Sequence, residues 1–473
     1  MFAAHIYKNN AATPTGNDPF FSSTSLLLHG DGTNGAQNNI FLDSSSNNFP
    51  ITRVGEPTQG SFSPYPLSGV AYDPATNGGS GYFDGSGDYL DTATDASVAF
   101  GTGDFTIEFW AYFNLHKNYI ELLDARPNVQ SSPSPVLYTD VNGILYYWVN
   151  AANRITSSSA IPINSWVHIG LSRQGTSTKM FVNGVQTGIT YSDSVIYTHT
   201  SYRIGSVKNG NSSAAINYSM NGYISNLRVV KGTALYTSNF TPPTSPVTAT
   251  SNGGATPSTL PTPSEVSLLC DFTNAGIFDN TAKNDLITVG NAQVSAAVKK
   301  FGSGSMYFDG SGDYIDTATD ASVAFGTGDF TIEFWVYFNS NSSAKGLLDG
   351  RPNISNSPAP TIYSINGVLY YFVNLSNRIT GPTIPNNSWT HIAVSRQGTN
   401  TRMFVDGTQV GSTWSDSTNY THTSYRVGSV KNGNSSDAIN YSMNGYIDDL
   451  RITKGVARYT ANFAVPTQAF PNQ

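Results

Sequence analysis

"DFTIEFWAYFN", Asp104 to Asn114, places Phe105, Ile107, Phe109, Ala111 and Phe113 at alternate positions, with Thr106, Glu108, Trp110 and Tyr112 between them. A period of two sustained from Phe105 to Phe113 is the signature of a half-buried β-strand. "WVHIGLS" puts Val167, Ile169 and Leu171 on one face, and "KMFVNG" closes in Asn-Gly, a hairpin turn signal. "ILYYWVN" and "GYISNLRVV" read the same way. No window shows an amphipathic helix; "KGTALYTSNF" admits a single turn at most. Many short strands punctuated by Gly, Asn and Pro predict an all-β sandwich or barrel.

The same strand occurs twice. "GYFDGSGDYLDTATDASVAFGTGDFTIEFW" (Gly81–Trp110) returns as "YFDGSGDYIDTATDASVAFGTGDFTIEFW" (Tyr307–Trp335), and from Tyr82 onward only Leu90 against Ile315 differs. "YTHTSYRIGSVKNGNSSAAINYSMNGY" (Tyr197–Tyr223) returns as "YTHTSYRVGSVKNGNSSDAINYSMNGY" (Tyr420–Tyr446). The starts correspond more weakly, "SLLLHGDG" with "VSLLCDF". Each unit spans about 210–220 residues, enough for a core of its own. Thr241–Ser264 has six prolines and no charge, which predicts an extended, semi-stiff linker. The expected organisation is an N-terminal arm at 1–24, an antiparallel β-sandwich of jelly-roll type at 25–244, a linker at 245–264 and a second such sandwich at 265–473.

Composition narrows the function. Of 473 residues, 12% are charged, about half the ~25% usual in globular chains. The 24 basic and 31 acidic residues leave a formal charge of −7 with no Lys/Arg run, which argues against nucleic acid as a partner. The single cysteine, Cys270, excludes an internal disulfide and is expected to be a small buried hydrophobe. No stretch approaches the ~20 apolar residues of a membrane helix, so no membrane insertion is expected. "MFAAHIYKNNAATPTGNDPFF" has neither the basic start nor the apolar stretch of a secretory signal. A chain kept in a cytoplasm, or leaving it by a non-standard route, is the expectation.

"YFDGSGDYLDT", then "FTIEFWVYF", "SWTHIAVSRQGTNTRMFVDGTQVG" and "YRVGSV…MNGYIDDLRITKGVARYT" together resemble the concanavalin A-like, laminin-G-like jelly-roll family, in order and spacing and over both units. The closing phrases, "LRVVKGTALYTSNFTPPTSP" and "LRITKGVARYTANFAVPTQAF", are similar to those of structural proteins of bacterial viruses, notably marine ones. The resemblance implies binding of glycans, sometimes through Ca²⁺, or of other proteins; some relatives are glycanases.

Hydrolysis would need two facing carboxylates. Glycanases of this fold carry them along one strand, whereas "FTIEFW" offers only Glu108, or Glu333 in the second copy, with Trp110 and Tyr112 where further carboxylates would stand. Glu108 is expected to be a solvated or hydrogen-bonded strand residue, and His168 and His391 structural. His199 and His422 have no second histidine nearby for zinc. No catalytic residue is assigned and the chain is expected not to be an enzyme. For calcium, "DGSGDYLDT" supplies Asp84, Asp88 and Asp91, and Asp309, Asp313 and Asp316 in the second copy; the spacing is not that of an EF-hand, and Asp-Gly-Ser-Gly stretches more often make turns. No cofactor is expected, with Ca²⁺ at these aspartates as the one alternative.

Sugars stack on aromatics and pair with Asn, Asp and Arg, and the chain has 27 Tyr. Both copies keep "LDxRPN" (Asp124, Arg126, Asn128; Asp349, Arg351, Asn353) and "KNGNSS" (with Lys208, Asn209, Asn211; Lys431, Asn432, Asn434) in loop-like sequence, where recognition usually lies. These are the candidate ligand-binding residues. Recent duplication would preserve everything alike, yet the two units have diverged unevenly, freely near their starts and hardly at all in these blocks.

The expected function is a non-enzymatic virion surface protein of a bacterial virus, a capsid decoration or a fibre or tail adhesin. Two lectin-like domains would bind a host surface glycan or protein, and the arm would dock on other virion proteins in an oligomer or larger assembly. The alternatives are a purely structural lattice component that binds no glycan and a glycan hydrolase.

Overall fold

The structure, a computed structural model, describes residues 24–28, 35–45, 47–65, 72–117, 119–127, 132–208, 218–249, 251–258, 265–270, 275–277, 286–317, 321–352, 358–431 and 441–471. The chain forms two all-β units, each a pair of antiparallel sheets packed face to face.

In the first sandwich one sheet has eight strands. Its spatial order is Val185–Ser192, Ser177–Val182, Trp166–Gln174, Phe105–Phe113, Asn221–Lys231, Ser80–Asp84 and Thr58–Gly60, with Val266–Cys270 also pairing Asn221–Lys231. The opposing sheet has seven strands, in the order Ala152–Ala160, Ile144–Val149, Val136–Thr139, Ile120–Asp124, Arg203–Ile204, Tyr89–Thr92 and Ile51–Val54. The strand read first is central: Phe105, Ile107, Phe109, Ala111 and Phe113 all enter the core, none more than 1% exposed. They meet Leu123, Leu137, Leu145 and Tyr147 of the opposing sheet.

The second sandwich repeats the plan. Its seven-stranded sheet runs Leu286–Val289, Tyr314–Thr317, Arg426–Val427, Ala344–Asp349, Thr361–Ile365, Val368–Val373 and Ser376–Thr383. Its other sheet is built on Phe330–Ser340 and Asn444–Lys454, and Phe330, Ile332, Phe334, Val336 and Phe338 fill the core.

Two boundaries differ from the sequence expectation. Thr24–Leu28, expected to open the first sandwich, pairs antiparallel with Asn444–Lys454 of the second, Leu27 opposite Arg451. Val266–Cys270, expected to open the second, pairs with Asn221–Lys231 of the first, Leu227 opposite Cys270. Residues 35–38 likewise belong to the second sandwich: Asn38, fully buried, donates to the Ile277 and Leu286 carbonyls at 2.9 and 3.0 Å. The receiving strands, "NLRVVK" and "DLRITK", are nearly the same, so local sequence does not choose between them. The arm before Thr24 and the side chain of Cys270 lie outside the described residues.

The expected linker is not an extended tether. Over residues 241–258 it folds back on the first sandwich: Thr244 and Ser245 donate to the Gly253 carbonyl, Thr256 donates to Thr241 and Ser258 to Leu235. Val247 is buried with Phe181, Val230, Leu235, Tyr236 and Val266 in a small outer core. A β-bulge aims this contact. Asn226, at φ +50°, points its side chain out of the sheet and its Oδ1 accepts from the Val247 N–H at 2.9 Å. Asp449, at φ +49°, does the same for Phe470 in the second sandwich, at 2.9 Å.

Candidate functional site

The candidate carboxylates come first. Glu108 points out of its sheet, as alternation requires, but the folded-back segment covers it. Arg228 donates to its Oε1, Tyr236 to its Oε2 at 2.6 Å, and His168 Nε2 lies 3.2 Å away. Arg228 also donates to the carbonyls of Thr248 and Ser251 and to Asn252 Oδ1. Burial works to raise the Glu108 pKa, but Arg228 and His168 outweigh it and hold the carboxyl at about 2. Glu333, Arg451 and Tyr459 repeat the arrangement, with Phe470 over the guanidinium at 3.8 Å. Glu108 is therefore hydrogen-bonded and buried, not solvated. His199 and His422 are buried against the hydroxyls of Tyr202 and Tyr425.

The aspartates weighed for calcium serve the fold. Asp88 accepts from the Glu56 and Asp84 N–H groups at 2.6 and 2.9 Å, and burial raises its pKa to about 6. Asp84 accepts from the Ser86 N–H within its own turn. Asp91 is paired with Arg203, whose guanidinium stacks on Tyr89 at 3.6 Å. In the second copy Asp313 accepts from Asn291 and Asp309, Asp309 from Ser311, and Asp316 from Arg426. Among the described residues no three His, Cys, Asp or Glu side chains converge as metal ligands would.

The loop candidates divide. Asn128, Asn209, Asn211, Asn353, Asn432 and Asn434 lie outside the described residues. Asp124 is fully buried and accepts from Arg126 Nε and Nη2 at 2.9 and 2.6 Å and from the Lys208 N–H at 2.7 Å. Lys208 Nζ donates to Ser201 Oγ at 2.6 Å, and burial holds its ammonium at about 8, against the pull of Asp91 and Asp124. Asp349, Arg351 and Lys431 repeat these bonds. Asp124, Arg126, Asp349 and Lys431 are thus buried, not free loop groups: each carboxylate at a strand end satisfies at least four donors, the backbone N–H of its arginine among them.

What Asp124 holds is Arg126, and Arg126 lines a cavity of about 320 Å³ with Glu121, Val136, Tyr138, Trp148 and Ala151. This cleft lies on the outer face of the seven-stranded sheet, and cross-strand pairing explains its lining. Asp124, Val136, Trp148 and Asn153 stand side by side on four strands, and Glu121, Tyr138 and Tyr146 on three. Tyr138 and Tyr146 stack at 4.9 Å between centroids, and the Tyr138 hydroxyl donates to Asn153 Oδ1 at 2.9 Å. The Arg126 guanidinium stands 5.1 Å from the Trp148 ring centroid, and Tyr119, 52% exposed, extends the aromatic surface beside Tyr138.

The second sandwich has the same frame. Asp349, Thr361, Phe372 and Asn377 form one row, and Gly346, Tyr363 and Tyr370 the other. Tyr363 stacks on Tyr370 at 5.4 Å, and Arg351 stands 5.5 Å from the Phe372 ring. Glu121, Tyr138 and Trp148 line the cleft of the first sandwich and Tyr146 stacks on Tyr138, and none of the four is among the candidates read from the sequence. The signal was present in "ILYYWV", where the positions between the core residues Leu145, Tyr147 and Val149 are Ile144, Tyr146 and Trp148.

A family model described as the concanavalin A-like lectin/glucanases superfamily matches residues 84–235 and 309–458. Among solved structures the chain is similar to domains LG4-5 of the mouse laminin alpha1 chain: 15% identity, 82% of this chain and 90% of that one covered, TM-score 0.27. It is similar to domain 4 of AbnA, an extracellular arabinanase from Geobacillus stearothermophilus in complex with arabinotriose, at 17% identity over 38% of this chain and 87% of that one, TM-score 0.30. It is also similar to the CBM40 of a Ruminococcus gnavus sialidase bound to sialyllactose, at 12% identity over 29% and 80%, TM-score 0.24. No curated protein matches.

Proposed function

The chain belongs to the concanavalin A-like lectin/glucanases superfamily, and from that premise we propose that it is a non-enzymatic carbohydrate-recognition protein with one aromatic binding face on each sandwich, recessed into a cleft on the first. The observation that carries the reading is the cross-strand aromatic row beside a fixed arginine, Tyr138, Tyr146 and Trp148 with Arg126, which recurs as Tyr363, Tyr370 and Phe372 with Arg351. Aromatic faces take the apolar face of a sugar ring, and a few fixed polar groups orient its hydroxyls. Because Asp124 and Asp349 anchor the arginines, little side-chain entropy remains to be lost on binding. Two such faces on one chain make the second contact with a polymer intramolecular.

Glu108 and Glu333, the carboxylates that hydrolysis would use on the strand of the glycanases, lie buried in ion pairs on the other sheet, which supports binding over hydrolysis. The setting we infer, the surface of a bacterial virus, rests on the closing phrases of the two units. A glycan-array screen of the full chain, repeated with Trp148→Ala and Phe372→Ala, tests the reading. Saturable binding that weakens in these variants is expected. Absence of binding to every glycan would overturn it and favour the structural-lattice alternative.

A further inference from the structure

The two aromatic faces differ in one charged group. Glu121 lines the first, is only 8% exposed, and its Oε2 has no hydrogen-bond partner among the described residues. Arg126 does not supply one, since its Nε and Nη2 are held by Asp124 at 2.9 and 2.6 Å. Two carboxyl groups therefore face one guanidinium. A buried carboxyl left unpaired at a cavity wall is a site short of a donor.

The second sandwich has Gly346 in the same register, opposite Tyr363 as Glu121 is opposite Tyr138. Its N–H donates to the Tyr441 carbonyl at 2.7 Å, as that of Glu121 does to Tyr218 at 3.3 Å. A Cβ on Gly346 would lie 2.4 Å from the carbonyl carbon of Ser429, so backbone closes the place that Glu121 occupies in the first sandwich. The difference is built into the strand spacing, not only into the side chain.

On the carbohydrate reading above, we propose that the first cleft selects an amino sugar with a free ammonium group, the ammonium set against Glu121 and the ring against Trp148. An ammonium brings Glu121 Oε2 a donor and brings a second positive charge where two carboxyls share one guanidinium, and its position beside Trp148 and Tyr138 adds attraction to their faces. The charged and titratable groups around Glu121 are Asp124, Arg126 and Tyr138. Burial, then Asp124, raise the Glu121 pKa well above the usual range, only partly offset by Arg126, so the empty cleft tends to hold a proton there. An arriving ammonium takes the place of that proton, which leaves to solvent. The aromatic face of the second sandwich, without this carboxyl, has no such preference.

The test is titration calorimetry of the full chain with glucosamine tetramer and with its fully N-acetylated counterpart, in two buffers of different ionisation enthalpy, with tetralysine as an ammonium without a ring. The free-amine tetramer is expected to bind at least tenfold tighter than the acetylated one at a site removed by Trp148→Ala, with proton release. Glu121→Gln, and Glu121→Gly as the residue in that register of the second sandwich, should abolish both preference and proton release, while Phe372→Ala leaves them unchanged. Equal affinity for the two tetramers, a preference that survives Glu121→Gln, or tetralysine binding as tightly as the amine tetramer would each overturn the proposal. If neither tetramer binds while the array shows other glycans held through Trp148, this inference fails and the carbohydrate reading stands. An array with no hits removes both.

Discussion

Arg228 Nε and Nη2 both donate to Oε1 of Glu108, at 2.8 and 2.5 Å, and neither side chain is more than 1% exposed. The same guanidinium holds the proline-rich segment by two carbonyls and Asn252. One residue on the eight-stranded sheet thus neutralises a buried charge and folds down what sequence presents as a tether.

Arg228→Ala should destabilise the first sandwich by about 3–5 kcal/mol, because it leaves Glu108 buried without its counter-charge. Glu108→Gln combined with Arg228→Met should recover much of this. Urea denaturation of the single and double variants measures the difference; additive losses would mean that the pair is not coupled.

Val247 is 2% exposed in the folded-back segment. Val247→Asp should cost about 2–4 kcal/mol and open residues 245–258 to limited proteolysis, which intact protein should resist there. A free tether would be cut equally in both and would leave the unfolding midpoint unmoved.

Burial, helped by Lys208 and Lys231, holds the His199 imidazole at about 3, and burial with Lys431 and Lys454 does the same for His422. The unfolded chain takes up protons near pH 6.5 while the folded chain stays neutral. The stability tied to these groups is therefore full above about pH 6.5 and is lost progressively as pH falls toward about 3. At pH 5 the loss is on the order of 2 kcal/mol for each histidine. The urea midpoint of wild type should fall between pH 7 and 5 more than that of His199→Gln/His422→Gln; parallel lines would refute the assignment.

Gly222 sits at φ +152°, and a Cβ there would lie 2.0 Å from the Tyr112 carbonyl oxygen; Gly445 repeats this against Tyr337, also at 2.0 Å. Gly222→Ala and Gly445→Ala should each cost about 2 kcal/mol or more, as neither the backbone angle nor the neighbouring strand can yield cheaply. Thermal melts of the two variants check this, and an unchanged Tm for either would contradict it.

Trp148 is half-buried, with one face on the cleft. Trp148→Ala should weaken binding of an array-identified glycan at least tenfold, about 1.4 kcal/mol, with a much smaller change in stability than Phe109→Ala in the core. Loss of binding only in step with unfolding would assign Trp148 to structure alone.

The strands, the duplication and the core positions were legible because they depend on local pattern. Alternation in Phe105–Phe113 is read from neighbouring residues, and the two copies certify each other. Arg126 was legible as a candidate because it recurs in a loop-like phrase, and the structure sets it at a cavity wall. Its dependence on Asp124 was not: the sequence shows two polar residues, and only the fold shows that one is buried beneath the other.

By itself, then, the sequence determined an all-β chain of two like sandwiches and the faces their strands present. The tertiary structure decided three things. It decided which sandwich receives Thr24–Leu28 and which receives Val266–Cys270, because the receiving strands are nearly identical and only chain path distinguishes them. It decided that the segment after Thr241 folds back, because the partners that satisfy it, Arg228 and Asn226, project from a bulged strand whose geometry pairing alone creates. It placed Glu121, Arg126, Tyr138 and Trp148 around one cavity, because residues far apart in sequence become neighbours only when register sets their strands side by side.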